Sequence, residues 1–421
     1  MSGEIQPNLW MATPFVALLA MIALAPLCFA DWWGRHYTKV AFGLGAVVVV
    51  YYLAGLHAGE RVWHTTEEYI SFIALIGSLF IVSGGIHINV KGEATPFGNV
   101  IFLLVGALIA NLLGTTGASM LLIRPWLRMN KYRVTAHHVV FFIFIVSNVG
   151  GCLTPIGDPP LFLGYLKGIP FWWVAQHCWP MWALGVAILL AMFFVVDWLN
   201  FRRAPKLVRE KEIAHEQWRF DGLGNLFFLA VILGAVFINH PPFVREALML
   251  AAAAGSYFTT NKKVHESNHF NFHPIKEVAV LFVGIFATMM PALDWLAHNA
   301  DKLLGAHPAP GIFYFGCGSL SSVLDNAPTY LGFLSALSGT AGTTDIHALL
   351  ALHPAYILAI SIGAVFFGAN TYIGNGPNFM VKAIADQQKV RTPTFLDYIW
   401  KFTLPFMLPM LLIVWWVFFR G

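Results

Sequence analysis

The stretch SNVGGCLTPIGDPP (147–160) decides the fold of this chain. It places the carboxylate of Asp158 among helix-breaking glycines and prolines, inside a run that is long and apolar enough to cross a bilayer. A second stretch, SSVLDNAP (321–328), carries Asp325 in the same kind of setting. A carboxylate at membrane depth is costly, and membrane proteins keep one there mainly along an ion path. The two stretches therefore predict an ion path through a membrane protein.

The composition of the whole chain agrees with this prediction. Of 421 residues, 58% are hydrophobic and only 11% are charged, whereas soluble domains carry about 25% charged residues. The first long apolar run, 11–30, has neither a basic leader nor an A-x-A cleavage site, so we expect a retained span instead of a signal peptide. The four cysteines show no disulfide or zinc spacing. The net charge of +4 is explained by basic cytoplasmic loops, and no nucleic-acid partner is predicted.

Apolar stretches of about 20 residues predict an all-α polytopic fold. Two of these stretches, 98–127 and 310–338, have polar breaks at their centres and are predicted to be re-entrant hairpins. About ten transmembrane helices then remain. The chain divides into two inverted repeats, 1–200 and 221–421, joined by a charged cytoplasmic linker, 201–220. Each repeat has one hairpin and one broken helix, and the broken helices are predicted at 138–166 and 353–383.

The positions of the basic residues support this topology. With both hairpins re-entrant and both termini outside the cytoplasm, all but five of the 25 Lys and Arg residues fall on the cytoplasmic side. The five exceptions are Arg61, Lys167, Arg245, Lys302 and Arg420. Treating either hairpin alone as a full crossing would destroy the asymmetry. We therefore expect an integral protein of a bacterial inner membrane, with acids near span ends, such as Asp294 and Glu277, in contact with solvent.

The four breaks supply oxygen atoms of the kind that hard cations prefer. Unwound backbone at membrane depth is tolerated where protein or a water-lined cavity satisfies it, and an all-oxygen ligand set favours Na⁺ or H⁺ over a soft metal. Such breaks also occur as packing kinks, but four at matched positions favour a site. The predicted cation-binding and proton-binding residues are Asp158, Asp325, Asn326, Thr115, Thr116, Ser147, Asn148, Thr154, Asn370, Thr371, Asn375 and Asn378. The residues predicted to enforce the breaks are Gly150, Gly151, Gly157, Pro159, Gly368, Gly374, Gly376 and Pro377.

Three strings resemble the signature segments of the ion-transporter superfamily: SNVGGCLTPIGDPP, SSVLDNAPTYLGFL and GANTYIGNGPNF. This superfamily includes citrate-transporter-like proteins, divalent-anion/sodium symporters, arsenite permeases and NhaD-like sodium/proton antiporters. The pairing of PIGD with a later LDN is most similar to the NhaD-like antiporters. The resemblance implies a scaffold domain, a transport domain made of the hairpins and broken helices, an elevator-like motion and a homodimer.

Competition between Na⁺ and H⁺ at Asp158 and Asp325 predicts sodium/proton antiport by alternating access, with inorganic cations as cargo and no resident cofactor. The carboxylate symporters of the superfamily carry Ser-Asn-Thr at each hairpin tip, whereas this chain has Gly-Thr-Thr (114–116) and Asp-Asn-Ala (325–327). Two unit charges about 5 Å apart repel by roughly 3 kcal/mol at an effective dielectric constant of about 20, so an acid at the tip disfavours a dianion.

Two alternatives stay open at this point. A sodium ion at Asp325 would offset the repulsion, so a sodium-coupled carrier of a small carboxylate or of an oxyanion such as arsenite is the main alternative. An intramembrane enzyme is a remote alternative, because Ser147 and Cys152 have no acid-base histidine in a matching break.

Overall fold

The computed structural model of the chain describes residues 6–89, 95–203, 219–238, 240–305 and 308–420. Most of these residues are helical. The strands of this part of the chain form one antiparallel pair, β1 (His87–Asn89) and β2 (Arg219–Asp221), in which His87 lies opposite Asp221. The predicted all-α polytopic fold is confirmed.

The first half of the chain contains three long helices, a kinked helix, a broken helix and a further long helix. They are α1 (Thr13–Cys28), α2 (Ala30–Val50), α3 (Gly59–Gly84), α4 (Pro96–Met129), α5 (Ala136–Ile145), α6 (Pro159–Leu166) and α7 (Phe171–Arg203). A short 3₁₀ turn, Leu9–Ala12, precedes α1, and a π-helical turn, Tyr51–Gly55, extends α2. The 3₁₀ turn Val149–Gly151 lies between α5 and α6, which together form the first broken helix.

The second half repeats this order with additional short helices. Its helices are α8 (Asn225–Ala235), α9 (Val244–Thr259), α10 (Lys262–Ser267), α11 (His273–Leu304), α12 (Pro310–Ser321), α13 (Asn326–Ala341), α14 (Ile346–Leu352), α15 (Pro354–Phe367), α16 (Gly376–Gln387), α17 (Phe395–Tyr398) and α18 (Leu408–Phe418). The 3₁₀ turn Gly368–Asn370 separates α15 from α16, the two parts of the second broken helix. A π-helical segment, Ile399–Met407, joins α17 to α18.

Fewer helices meet a simple length criterion than the ten predicted spans. Within the described residues, seven helices are long and apolar enough to cross a bilayer. The α14–α15 pair, which is bent by 102°, would make an eighth span. The other predicted spans consist of shorter pieces, such as α5–α6, α8 and α9. Glycine and proline divide these segments into shorter helices, so that length alone undercounts them.

Both predicted hairpins fold back on themselves. In α4, Asn99 donates a hydrogen bond of 2.9 Å to Asn130, although a straight helix would place these residues about 45 Å apart. The chain turns at Gly114, whose φ of 73° and ψ of 156° are open to glycine but not to other residues. In the second hairpin α12 and α13 lie side by side, and the rings of Phe313 and Phe333 are 6.2 Å apart.

The predicted linker, 201–220, is described only at its ends. Residues 201–203 close α7, and residues 219–220 belong to β2. Residues 204–218 lie outside the described residues. The division of the chain into two inverted repeats stays a prediction.

Two groups of helices differ in their place around the site, although contacts between the groups are extensive. The frame unit contains α1, α2, α3, α8, α9 and α11, and the site unit contains α4–α7, α12, α13, α15, α16 and the C-terminal helix Phe395–Phe418. Helices α3 and α11 of the frame unit face the site unit, and α11 packs along α13. The residues predicted to bind ions all belong to the site unit or to its connecting turns.

The expectation that Asp294 is solvated is wrong. Its side chain is only 14% exposed and lies 2.9 Å from the guanidinium of Arg61. Tyr52 donates a further hydrogen bond of 2.8 Å to the same carboxylate. A basic partner from the start of α3 and a phenol from the end of α2 thus replace water around Asp294 and tie three helices of the frame unit together.

Candidate ion-binding site

The tip of the first hairpin is fixed to the first broken helix. The backbone N–H of Thr115 donates a hydrogen bond of 2.7 Å to the carbonyl of Gly157. Thr154 Oγ1 donates to the carbonyl of Asn111 at 2.6 Å and accepts from the N–H of Gly157 at 3.1 Å. The side chain of Asn111 in turn donates to the carbonyl of Gly150 at 2.7 Å. Unwound backbone groups of the break are therefore satisfied by the hairpin, as membrane depth requires.

Two of these contacts recur at matched positions in the second half. Thr371, which corresponds to Thr154, donates to the carbonyl of Ser322 at 2.5 Å and accepts from the N–H of Gly374 at 3.1 Å. Asn370 adds a bond of 2.8 Å to Ser322 Oγ. Each hairpin is thus attached to the broken helix of its own half, and Ser322 takes the position that Asn111 has in the first half.

Each break contains a close crossing of two backbone segments. A Cβ atom on Gly157 would lie 2.0 Å from the carbonyl oxygen of Gly151, and one on Gly374 would lie 2.6 Å from the carbonyl oxygen of Gly368. Such distances leave no room for any side chain. Gly157 and Gly374 are needed for this crossing because the backbone itself is the neighbour. The nearest atoms to a Cβ on Gly151 or Gly368, in contrast, belong to the side chains of Thr115 and Asn148.

Other predicted break residues act differently. A Cβ on Gly150 would lie 2.5 Å from the carbonyl oxygen of Ile145, so Gly150 is also closely packed. Pro159 and Pro377 begin α6 and α16, where a missing N–H costs no helical hydrogen bond. Gly376, in contrast, has open space around the position of a Cβ atom.

Asp158 lies where all four breaks meet. It has no exposed surface. Its Oδ1 accepts hydrogen bonds from Thr115 Oγ1 at 2.6 Å and Asn375 Nδ2 at 3.0 Å, and its Oδ2 accepts one from Asn326 Nδ2 at 2.6 Å. These donors come from the first hairpin, the second broken helix and the second hairpin, and all of them are uncharged. No lysine or arginine of the described residues pairs with Asp158.

Asp325 has a different environment. It is the N-cap of α13, where its Oδ1 accepts from the backbone N–H of Ala327 at 3.0 Å. Its side chain lines a cavity together with Thr116, Asn375 and Gly376. One carboxylate of the site is therefore enclosed by three donors, whereas the other borders open space.

Two cavities adjoin at this place. The first is lined by the tip of the first hairpin (Gly114–Gly117) and by Asp158, and the second contains Asp325. Both are lined by Ile76, Thr116 and Pro159. The opposite walls come from apolar residues of the frame unit: Leu75, Ile76, Leu79 and Phe80 on α3, and Ile275, Val278 and Phe282 on α11. The site thus faces the boundary between the two units.

Two amide oxygens in the site have no hydrogen-bond donor. They are the buried Oδ1 atoms of Asn326, at the second hairpin tip, and of Asn370, in the break of the second broken helix. A buried polar atom without a partner costs about 1–3 kcal/mol, so proteins rarely keep one without a purpose. Amide oxygens are suitable ligands for a hard cation. Asn326 presents its unpartnered oxygen while its amide nitrogen contacts Asp158.

A second set of contacts joins the two broken helices. Asn148 donates to Asn378 Oδ1 at 2.7 Å, and Asn375 donates to the carbonyl of Ser147 at 3.1 Å. Ser147 Oγ is 2.7 Å from Ser119 Oγ on the first hairpin. These residues hold the halves together around Asp158.

The predicted residues thus fall into four groups. Asp158, Thr115, Asn326 and Asn375 are in direct contact. Ser147, Asn148 and Asn378 lie behind them, and Asp325 and Thr116 line the second cavity. Asn370, Thr371 and Thr154 hold the hairpin tips and do not contact Asp158. Sequence reasoning missed Asn111; the signal was a lone polar residue in an apolar hairpin arm, matched by Ser322 in the other half.

A buried charged cluster at the base of the first hairpin was also missed. Asp197 on α7 has no exposed surface and accepts from Arg133, with one bond of 3.0 Å, and from Asn99 at 2.9 Å. The Nε2 atoms of His137 and His138 lie 3.2 Å and 3.1 Å from Oδ1 of Asp197. The two histidines and Asp197 have a geometry that could hold a metal ion. The guanidinium of Arg133 already compensates the carboxylate and would repel a cation, so the cluster is better explained as an anchor of the hairpin base.

Asp197→Asn should lower the stability of the protein. Removing one charge of a buried pair leaves the other uncompensated, at a cost of about 3–5 kcal/mol. We expect a clear fall in Tm of the purified protein in detergent. Asp301→Asn, at an exposed position near the end of α11, is the matched control and should leave Tm unchanged. Equal Tm values for both variants would show that the cluster does not anchor the hairpin.

The fold and the site together define a membrane transporter: apolar spans surround two hairpins and two broken helices, which meet at a buried carboxylate beside cavities. Residues 4–419 match the model of the CitMHS_2 family, described as "putative citrate transport", and the chain belongs to this family. The membership confirms the predicted likeness to the ion-transporter superfamily, and the closer likeness to the NhaD-like antiporters stays a prediction.

Curated relatives from mycobacteria are similar over most of their length. An uncharacterized transporter of Mycobacterium tuberculosis is 24% identical over 396 residues, which cover 87% of this chain and 89% of that protein. A second uncharacterized transporter of the same species is 23% identical over 397 residues, with coverage of 88% and 90%. A 46 kDa membrane protein of Mycobacterium leprae is 26% identical over 338 residues, covering 74% of each chain. The family and the names of these relatives indicate a transport protein of a bacterial membrane.

Proposed function

We propose that this protein is a sodium/proton antiporter. The observation that carries the proposal is the state of Asp158: a fully buried carboxylate, held by neutral donors from three of the four breaks, with no basic partner among the described residues. A buried charge of this kind needs compensation. A proton or a sodium ion supplies it, and the two cannot occupy the same oxygen atoms together. Competition at one carboxylate then couples their movements in opposite directions.

The oxygen atoms around Asp158 suit Na⁺. Hard cations prefer carboxylate, amide, hydroxyl and carbonyl oxygens. Asn326 has an unpartnered amide oxygen, and Thr115 brings a hydroxyl to the same carboxylate. These groups, with Asp158, would hold the transported ion. Asp325 adds a second negative charge at the wall of the adjoining cavity and would attract a cation toward the site.

The boundary between the units suits alternating access. The walls that the frame unit presents to the site are apolar, and they lie in the half of α3 near Gly84 and the half of α11 near His273. Under the predicted topology this half is cytoplasmic, so the site faces inward. Movement of the site unit along α3 and α11 toward their other halves would expose the same carboxylates to the outer side.

Reconstituted vesicles test the proposal directly. We expect addition of Na⁺ to dissipate a pH gradient, acid inside, across proteoliposomes that contain the protein, as reported by a pH-sensitive dye. Separate additions of Li⁺, K⁺ and citrate to the same vesicles show which of these solutes the protein also transports. A pH gradient that none of the cations dissipates would contradict the proposal.

Asp325→Asn should weaken cation capture without unfolding the protein. Asparagine caps a helix about as well as aspartate, so α13 keeps its start. Loss of one charge at the cavity wall is expected to raise the Na⁺ concentration for half-maximal proton exchange about tenfold, equivalent to about 1.4 kcal/mol. The dye assay over a range of Na⁺ concentrations measures this shift. An unchanged half-maximal concentration would exclude Asp325 from the ion path.

A sodium-coupled carboxylate carrier is the second candidate. The family description favours it, and so does the start of α16, where Gly376 leaves open space at the wall of the second cavity. The N-terminus of a helix attracts carboxylates. Sodium-dependent uptake of radiolabelled citrate or succinate into vesicles, without proton exchange, would establish this function in place of antiport.

A further inference from the structure

The end of α6 makes two polar contacts across the boundary between the units. Lys167, which caps α6 in the site unit, forms an ion pair with Glu68 on α3 of the frame unit, with Nζ 2.5 Å from Oε1. Two residues earlier, Tyr165 donates a hydrogen bond of 2.9 Å to the carbonyl of Val236 at the end of α8. The ion pair is largely shielded, since the side chains of Lys167 and Glu68 are 28% and 17% exposed.

The ion pair lies away from the site along α3. Glu68 precedes Ile76, which lines both cavities, by two helical turns, a distance of about 12 Å at 1.5 Å per residue. A movement of the site unit along α3 of even one turn would separate Lys167 from Glu68. The pair can therefore form in one position of the site unit and not in another.

The remainder of the boundary contrasts with this contact. Around the cavities α3 contributes Leu79 and Phe80, and α11 contributes Val278 and Phe282. Farther along α11, Gly339 of α13 packs so closely that a Cβ atom would lie 2.5 Å from the carbonyl oxygen of Leu296. Apolar side chains and glycine backbone can exchange one set of contacts for a similar one. A charged pair of fixed geometry is specific to one position.

We propose that the Glu68–Lys167 ion pair is a latch that holds the site unit in its present position on the frame unit and so sets the balance between the two access states. The inference rests on the proposed alternating access but not on the identity of the cargo. Because each state exposes the site to one side only, loss of the latch increases the fraction of molecules in the other state. A partly shielded ion pair of this kind shifts such an equilibrium about two- to tenfold.

The membrane face from which a cysteine in the second cavity can be labelled reports the balance between the two access states. Met380 on α16 lines that cavity, so Met380→Cys is the probe position. The exposed Cys28 is replaced by serine, and the other three cysteines are buried. Membrane vesicles of known orientation are labelled with a membrane-impermeant maleimide, and the rates from the two faces are compared.

We expect Glu68→Gln to lower the labelling rate from the accessible face about two- to tenfold and to raise it from the opposite face. Lys167→Gln should do the same. The charge-reversed pair, Glu68→Lys with Lys167→Glu, should restore the original ratio. Glu60→Gln is the matched control, because Glu60 is an exposed acid on the same helix, 81% exposed, whose ion-pair partner His64 is also on α3.

Two results would overturn the latch without rejecting alternating access. One is an unchanged labelling ratio in both neutralising variants, and the other is a charge-reversed pair that behaves like the single neutralising variants. The neutralising variants could shift labelling to the opposite face while the vesicles show no sodium/proton exchange. That result would support the latch and reject the proposed cargo. Labelling from one face in every variant and at every Na⁺ concentration would reject alternating access and the latch with it.

Discussion

Asp158→Asn is expected to reduce sodium/proton exchange about a hundredfold or more, because a cation held about 5 Å or closer from a carboxylate gains roughly 3 kcal/mol at an effective dielectric constant of about 20. The variant keeps the shape of the side chain and removes its charge. It also removes the group at which Na⁺ and H⁺ compete. Both halves of the exchange should therefore fail together.

The hydrogen bonds around position 158 explain why this variant should still fold. The amide oxygen of the new asparagine can accept from Thr115 and Asn375, as Oδ1 of Asp158 does. Its amide nitrogen would face Asn326, whose own amide can rotate to present the oxygen that now has no donor. Asp158→Ala, in contrast, would leave two buried donors, Thr115 Oγ1 and Asn326 Nδ2, without their acceptor.

Two measurements on the same preparation separate these effects. We expect Asp158→Asn to show the Tm of the unaltered protein in detergent and negligible Na⁺-driven dye dequenching in vesicles. Asp301→Asn, the exposed control, should match the unaltered protein in both. Exchange at a normal rate in the Asp158→Asn variant would remove this carboxylate from the ion path.

The second large effect is expected at Gly157. Alanine at this position would place Cβ 2.0 Å from the carbonyl oxygen of Gly151, and that neighbour is backbone within the same tight turn. The turn cannot relax without losing the hydrogen bond between Thr115 and the carbonyl of Gly157, which positions the hairpin tip beside Asp158. We expect Gly157→Ala to destabilise the protein by more than about 4 kcal/mol, which is exceptional for one methyl group.

The yield of folded protein tests this expectation. Size-exclusion chromatography and Tm in detergent should show little or no folded Gly157→Ala protein. Gly376→Ala is the matched control in the second broken helix, because nothing lies within 4 Å of its Cβ position. It should fold normally, with stability unchanged or slightly raised, since alanine restricts the unfolded chain. A stable Gly157→Ala protein would mean that the two backbone segments do not cross as described.

The breaks were predictable because their cause is local. Glycine, proline and asparagine at 147–160 and at 368–378 interrupt apolar runs in ways that no continuous helix tolerates, and the structure interrupts the helices there. The fold-back of α4 at Gly114 was predictable for the same reason, from a polar cluster in a run too long for one crossing. Local chemistry also predicted Asp158 as one of two carboxylates of the site.

The partners of Asp158 were predictable only as a group. Asn326 and Asn375 lie in the other half of the chain, and nothing in the local sequence shows which of several amides reaches the carboxylate. The different surroundings of Asp158 and Asp325 also result from packing. Asp325 was predicted as an equal partner, whereas the structure gives it a capping role at the wall of a cavity.

The cluster at the hairpin base was missed because its members are far apart in sequence. Arg133 precedes α5, His137 and His138 lie in its first turn, and Asp197 falls near the end of α7, where a charge is expected to reach solvent. Only the packing of α7 against α5 brings them together. Asp294 was misjudged for the same reason, because its partner Arg61 lies on another helix.

The central claim is that Na⁺ displaces a proton from Asp158. The most direct measurement is the release of protons from the purified protein, in weakly buffered detergent solution, as Na⁺ is added. We predict saturable release in proportion to bound Na⁺ in the unaltered protein and in the Asp301→Asn control, and none in Asp158→Asn. Binding of Na⁺ without proton release, or binding that requires citrate, would contradict the account.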